Sequence, residues 1–165
     1  MAEFSSPTVR RVQEALDALA LGHEIVDLGL SARTAADAAG AVGCRVDEIA
    51  KSLVFRLRES GRPLLVITSG AHRVNEAKVA ALVGEALDRA DADFVRAETG
   101  FAIGGVAPIG HVKPVVTLID EHLLTFEEIW AAAGHPNTVF RLRPADLVTM
   151  TGGRVAAVSW AFRPR

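Results

Sequence analysis

The apolar positions of this chain change period several times, and each change marks an element. Val9, Val12, Leu16 and Leu19 recur at steps of three and four behind Ser6-Pro7, a capping residue followed by proline at the first helical position. That spacing predicts a helix with one buried stripe, ending near Gly22. Residues 23–28 alternate loosely, as in a short strand. Thr34 with Asp37 three residues on resembles a capping box and opens an Ala-rich helix that stops at Gly40 or Gly43. Residues 47–50 read as one helical turn leading into a strand over 52–58, where Phe55-Arg56-Leu57-Arg58 alternates as a half-buried strand does. Ser60-Gly61-Arg62-Pro63 is a turn and 64–68 a second strand, so the two predict a hairpin.

Further on, Asn75 caps a helix carrying Val79, Leu82 and Val83 and closed by Gly84, and 91–98 predicts another short helix. Residues 115–119 are a continuous run of β-formers, the pattern of a strand buried on both faces. Residues 138–142 and 155–158 predict two more strands, with a turn starting at Pro144-Ala145-Asp146. Strands and helices mix without strict βαβα alternation. The expectation is one compact α/β (α+β) domain over residues 1–165, built on a mixed sheet.

Composition narrows the function classes. Half of the 165 residues are apolar and 23% are charged, which excludes a disordered chain. The longest stretch without formal charge, 99–112, is shorter than the roughly 20 residues a membrane span needs, so no membrane partner is expected. The first residues lack a basic segment followed by an apolar one, and a single Cys44 excludes an intrachain disulfide; a cytoplasmic location is the expectation. A net charge of −2 argues against a surface coated in positive charge but leaves a local phosphate-binding cluster open. Of the 18 cations 15 are Arg, so Lys51, Lys78 and Lys113 stand out.

Two segments carry chemistry. In Ile49-Ala50-Lys51-Ser52-Leu53-Val54 a cation stands where a helical turn passes into an apolar strand. It must snorkel to water or meet an anion, and it reads either as a surface lysine or as a functional point charge. Between Thr99 and His111 lie Gly100, Gly104, Gly105, Val106, Pro108 and Gly110. This is neither a P-loop nor a dinucleotide fingerprint, and it reads as a ligand loop or an irregular crossover. Asp120 follows the buried strand and suits a site or a helix cap. Arg141 and Arg143 flank Leu142 on one strand face and are candidate phosphate contacts. The five histidines show no metal-binding spacing, no GxSxG is present, and Cys44 reads as structural, so neither metal nor cofactor is expected.

Together the Lys51 segment, the element Gly104 to Pro108 within 99–110, and Leu118-Ile119-Asp120 resemble the YbaK/prolyl-tRNA synthetase insertion-domain family, over nearly the whole chain. The resemblance implies a compact α/β domain with a mixed, partly barrel-like sheet and an aminoacyl-tRNA deacylase that clears mischarged tRNA. It places catalysis at Lys51, Gly104, Gly105 and Pro108. Substrate contacts would be Ser52, Thr99, Gly100, Val106, Gly110, Asp120, His135 and Asn137, and tRNA contacts Arg141 and Arg143. Implied partners are mischarged tRNA, such as tRNA(Pro), and a synthetase; no DNA is expected. Ala133 to Asn137 departs from the basic-Arg-Gly run of cysteinyl-tRNA(Pro) deacylases, and the chain has no tyrosine. Cysteine specificity is therefore not implied. A non-catalytic RNA-binding or amino-acid-sensing module remains the alternative.

Overall fold

The computed structural model describes residues 6–30 and 32–160. Helix α1 (Pro7–Leu19) buries Val9, Val12 and Leu16, the stripe its spacing predicts, and ends at Ala20 in the left-handed region. Strand β1 (Ile25–Asp27) follows. Helix α2 (Ala35–Val42) starts with Thr34 accepting the Asp37 N–H and closes on Gly43, passing through Gly40. A 3₁₀ turn, Val46–Glu48, leads into β2 (Ile49–Leu57), which pairs antiparallel with β3 (Pro63–Ser69) as the expected hairpin.

Helix α3 (Glu76–Val83), capped by Asn75, strand β4 (Leu87–Arg89) and helix α4 (Ala92–Thr99), capped by Asp91, come next. After the Gly-rich loop come β5 (Val116–Asp120), a 3₁₀ turn (Glu121–Thr125), β6 (Ile129–Ala132), β7 (Thr138–Leu142), α5 (Pro144–Thr151) and β8 (Arg154–Ala156).

All eight strands share one mixed sheet in the order β1-β7-β6-β2-β3-β5-β8, with β4 pairing β2 aside from that path. The strand pairs β2–β6, β3–β5 and β5–β8 are parallel. Along β3 the faces alternate: Leu65 and Ile67 enter a main core with α1, Phe101 and Leu147, while Leu64 and Val66 enter a second core with Val79 and Val158. The sheet is thus covered on both sides, which suits its parallel pairs.

Several local expectations shift. The strand expected from Ser52 begins at Ile49, because Ile49 and Ala50 pair with Trp130 and Ala131 of β6; Lys51 lies inside the strand, not before it. The turn expected at Pro144 is the first turn of α5, with proline at its start and Gly152 in the left-handed region at its end. That helix takes Arg143 out of the strand, so Arg141 and Arg143 do not share a strand face. Strands β4 and β6 have no counterpart in the sequence pattern. Val116, expected inside, is exposed.

Candidate active site

The sheet is split along one side of β2. Beside β3 the strand is paired from Ala50 to Arg56; on its other side β6 reaches only Ile49 and Ala50, and β4 only Phe55 to Leu57. Residues 51–54 have no strand there. A cavity of about 810 Å³ opens into this gap, walled by α2, β2, β4, β6, the 103–106 loop and the 132–139 turn.

Lys51 lines the cavity half-buried. Among the described residues it has no hydrogen bond and no ion pair, unlike Arg45, Arg58, Lys113 and Arg141, each paired with a carboxylate. Burial pushes its pKa below the ordinary lysine value; nearby Arg73 pushes the same way and Asp120 opposes. The register explains the last effect. Lys51 pairs with Thr68, and Ile67 pairs with Ile119, so Lys51, Thr68 and Asp120 stand side by side on three adjacent strands. A desolvated, unpaired cation facing an open cavity is poised to meet developing negative charge.

The Gly-rich loop is anchored from behind. Arg11 of α1 donates from Nε to the Gly110 carbonyl at 2.6 Å and from Nη2 to the Gly100 carbonyl at 3.0 Å, and lies over the Phe101 ring. Thr99 is fully buried and donates to the Val95 carbonyl. His111 bridges to the Ala107 carbonyl at 2.8 Å, and burial lowers its pKa. So held, the loop turns Ile103, Gly104 and Val106 to the cavity. Gly104 has φ +91° with open space at its missing Cβ, whereas a Cβ on Gly105 would press on His135 and Pro136 at 3.2–3.3 Å.

Asp120 is 1% exposed and accepts from the backbone N–H groups of Ser69 and His122. Its Oδ2 lies 3.0 Å from His72 Nδ1, which is also 2.8 Å from Ser159 Oγ. Ser159, His72 and Asp120 have the composition of a catalytic triad. Both contacts fall on the same ring nitrogen, however, so the ring cannot take the serine proton on one nitrogen while the carboxylate holds the proton on the other. The cluster ties residue 159 to the end of β5. Cys44 is no better placed as a nucleophile, since burial raises its thiol pKa.

Of the residues singled out from sequence, Lys51, Ser52, Gly104, Val106 and His135 meet at the cavity. Gly105 backs it by packing on the His135 turn, and Asn137 is in that turn, donating its N–H to His135 Nδ1 at 3.1 Å. Thr99, Gly100 and Gly110 belong to the anchored side of the loop, and Pro108 faces a shallow depression elsewhere. Asp120 acts from behind Lys51. Arg141 sits over Trp130 and pairs with Glu128, while Arg143 is exposed ahead of α5. Sequence reasoning missed Arg33, Glu76, Arg89 and Trp130, which also line the cavity. They come from four segments with no shared motif, so only the fold could collect them. The described residues contain no cluster of three or more potential metal ligands, and none of their helices is long and apolar enough to cross a membrane.

The family model for the aminoacyl-tRNA editing domain matches residues 31–150. A solved structure of a proposed trans-editing enzyme for prolyl tRNA synthetase is 45% identical and superposes with a TM-score of 0.89, covering 96% of this chain and 100% of that one. The uncharacterized protein YwhH of Bacillus subtilis (strain 168) is 27% identical over 133 residues, 81% of this chain and 84% of its own. EbsC of Enterococcus faecalis (strain ATCC 700802 / V583), named as a proposed Cys-tRNA(Pro)/Cys-tRNA(Cys) deacylase, is 26% identical over 131 residues, 79% of this chain and 77% of its own.

Proposed function

Because this chain belongs to the aminoacyl-tRNA editing domain family, we propose that it is a trans-editing hydrolase that removes a wrongly attached amino acid from tRNA, with tRNA(Pro) as the first candidate. The observation that carries the reading is Lys51, half-buried and with no hydrogen bond or ion pair among the described residues, lining the same 810 Å³ cavity as Gly104 and Val106. In this mechanism a water oxygen attacks the ester carbonyl carbon, and the carbonyl electron pair moves onto its oxygen. Lys51 stands against that oxyanion. Collapse breaks the bond to the ribose oxygen, which takes a proton derived from the water, and free amino acid and tRNA leave.

The protein's share is orientation and charge rather than a covalent intermediate. The 104–106 backbone holds the aminoacyl ester, while Asp120 helps keep Lys51 protonated from behind. His135 faces the same space; its Nδ1 accepts the Asn137 N–H, so the neutral ring carries its proton on Nε2 and offers a donor to the substrate. The reaction belongs in the cytoplasm, beside the synthetase that makes the error. A panel of tRNAs charged with wrong amino acids tests the reading. At least one ester is expected to be cleaved far above its uncatalysed rate. Binding of every tRNA with cleavage of none overturns it and leaves an RNA-binding module.

A further inference from the structure

The split beside β2 leaves a specific set of polar groups open. In an antiparallel pair, a residue's N–H and C=O point to the same side, and successive residues alternate. The Gly70 N–H donates to the Ile49 carbonyl at 2.7 Å, and the Leu57 N–H donates to the Arg62 carbonyl at 2.9 Å. Odd residues of β2 therefore turn to β3 and even residues turn away. Of these, Ala50 meets Ala131 in β6 and Arg56 meets Asp88 in β4, but Ser52, and Val54 after it, meet no strand, and Ser52 is the one of the two with a polar side chain. Its N–H and C=O both point into the gap. Its Oγ, against the core, also has no hydrogen-bond partner among the described residues. Backbone groups left open in this way are paired by water or by a bound ligand.

We propose that Ser52 is the docking edge for the 3′-terminal adenine of the tRNA, its N–H and C=O pairing with a ring nitrogen and the exocyclic amino group of the base. This rests on the hydrolase reading above and names a contact it does not contain. Three observations select a nucleotide over other occupants. The gap is closed at both ends by β6 and β4 and spans four residues, about 13 Å, which leaves no room for an added peptide strand to run through. The cavity is far larger than an amino-acid side chain requires, and Val54, Ala90 and Val95, on one face of the sheet, supply apolar surface for a flat ring. Its charged lining is Arg33, Lys51 and Arg89 against the single carboxylate of Glu76, and none of the three cations is in an ion pair among the described residues. Unpaired cations around an apolar slot suit a base carried on phosphates.

Two measurements test this on the whole protein. In the first, a cleaved aminoacyl-tRNA is compared with the same tRNA ending in inosine, whose 6-oxo group replaces the amino donor. Loss of a two-bond base contact is expected to lower kcat/KM roughly tenfold to a hundredfold, mainly through KM. Equal rates for the two ends overturn the proposal. In the second, the backbone amide signal of Ser52 is followed by NMR during titration with AMP, IMP and an amino acid ethyl ester. AMP is expected to move it most. A Ser52 amide that ignores AMP, or answers only to the ethyl ester, overturns the proposal. Because the titration needs no hydrolysis, an AMP response without cleavage of any tRNA rejects the hydrolase and keeps the docking edge.

Discussion

Lys51 is the residue on which the proposed chemistry turns, and its surroundings make the role measurable. Removing a charge aimed at an oxyanion costs on the order of a hundredfold or more in rate. Lys51→Ala is therefore expected to abolish most cleavage, while circular dichroism and the melting temperature stay near those of the parent. Near-normal turnover would remove Lys51 from the mechanism. The pH dependence follows from the lowered pKa of the side chain. The ammonium is lost below the ordinary lysine range, so activity after subtraction of uncatalysed hydrolysis should fall early on the alkaline side. Stability runs the other way: burial disfavours the charged form in the fold, so stability attributable to Lys51 rises as pH climbs through its folded pKa toward the ordinary value. Arg73→Gln removes a repelling cation and should move the alkaline limb upward; an unmoved limb would mean that Lys51 does not set it.

Among the elements, the glycine loop separates two kinds of glycine. Gly104 has a positive φ and open space, so Gly104→Ala introduces backbone strain, about 1–3 kcal/mol, with no clash. Gly105 lacks that φ, but a Cβ there would meet His135 and Pro136 at 3.2–3.3 Å, so Gly105→Ala is expected to shift the His135 turn. Thermal melts and cleavage rates of the two variants should cross. Gly104→Ala should lower the melting temperature more, and Gly105→Ala should lower kcat more, since a shift near 1 Å at a reacting centre can cost about a hundredfold. Activity unchanged in Gly105→Ala would detach the turn from catalysis. Much at this scale was legible in the sequence. Helices α1 to α4, the β2–β3 hairpin and β7 announced themselves through period and caps. Helix α5 carried the same signals, Pro144 and Gly152, behind a β-branched interior of Val148, Thr149 and Thr151. Strand β4 reads Leu87-Asp88-Arg89 and β6 reads Ile129-Trp130-Ala131-Ala132, and neither alternates apolar with polar positions.

For the whole molecule, near-neutral net charge means that the proposed tRNA binding would rest on a local patch. The fold places Arg33 and Arg89 at the cavity with no carboxylate partner among the described residues, whereas Arg141 is already paired with Glu128. Arg33→Gln and Arg89→Gln are each expected to reduce the log–log salt slope of tRNA affinity by about 0.7 to 0.9, and Arg141→Gln much less. The reverse order would move the RNA path to β7. By itself the sequence determined the class of the fold and the family likeness, and it singled out Lys51 and the glycine loop, which the fold brings to one cavity. Each of these depends on local period or on residue types within one short segment. The tertiary structure alone decided that β2 is left unpaired at Ser52, that Asp120 reaches Lys51 through Thr68, and that Arg33 and Arg89 share one cavity. Those are consequences of strand order and register, which set long-range neighbours that no local pattern encodes.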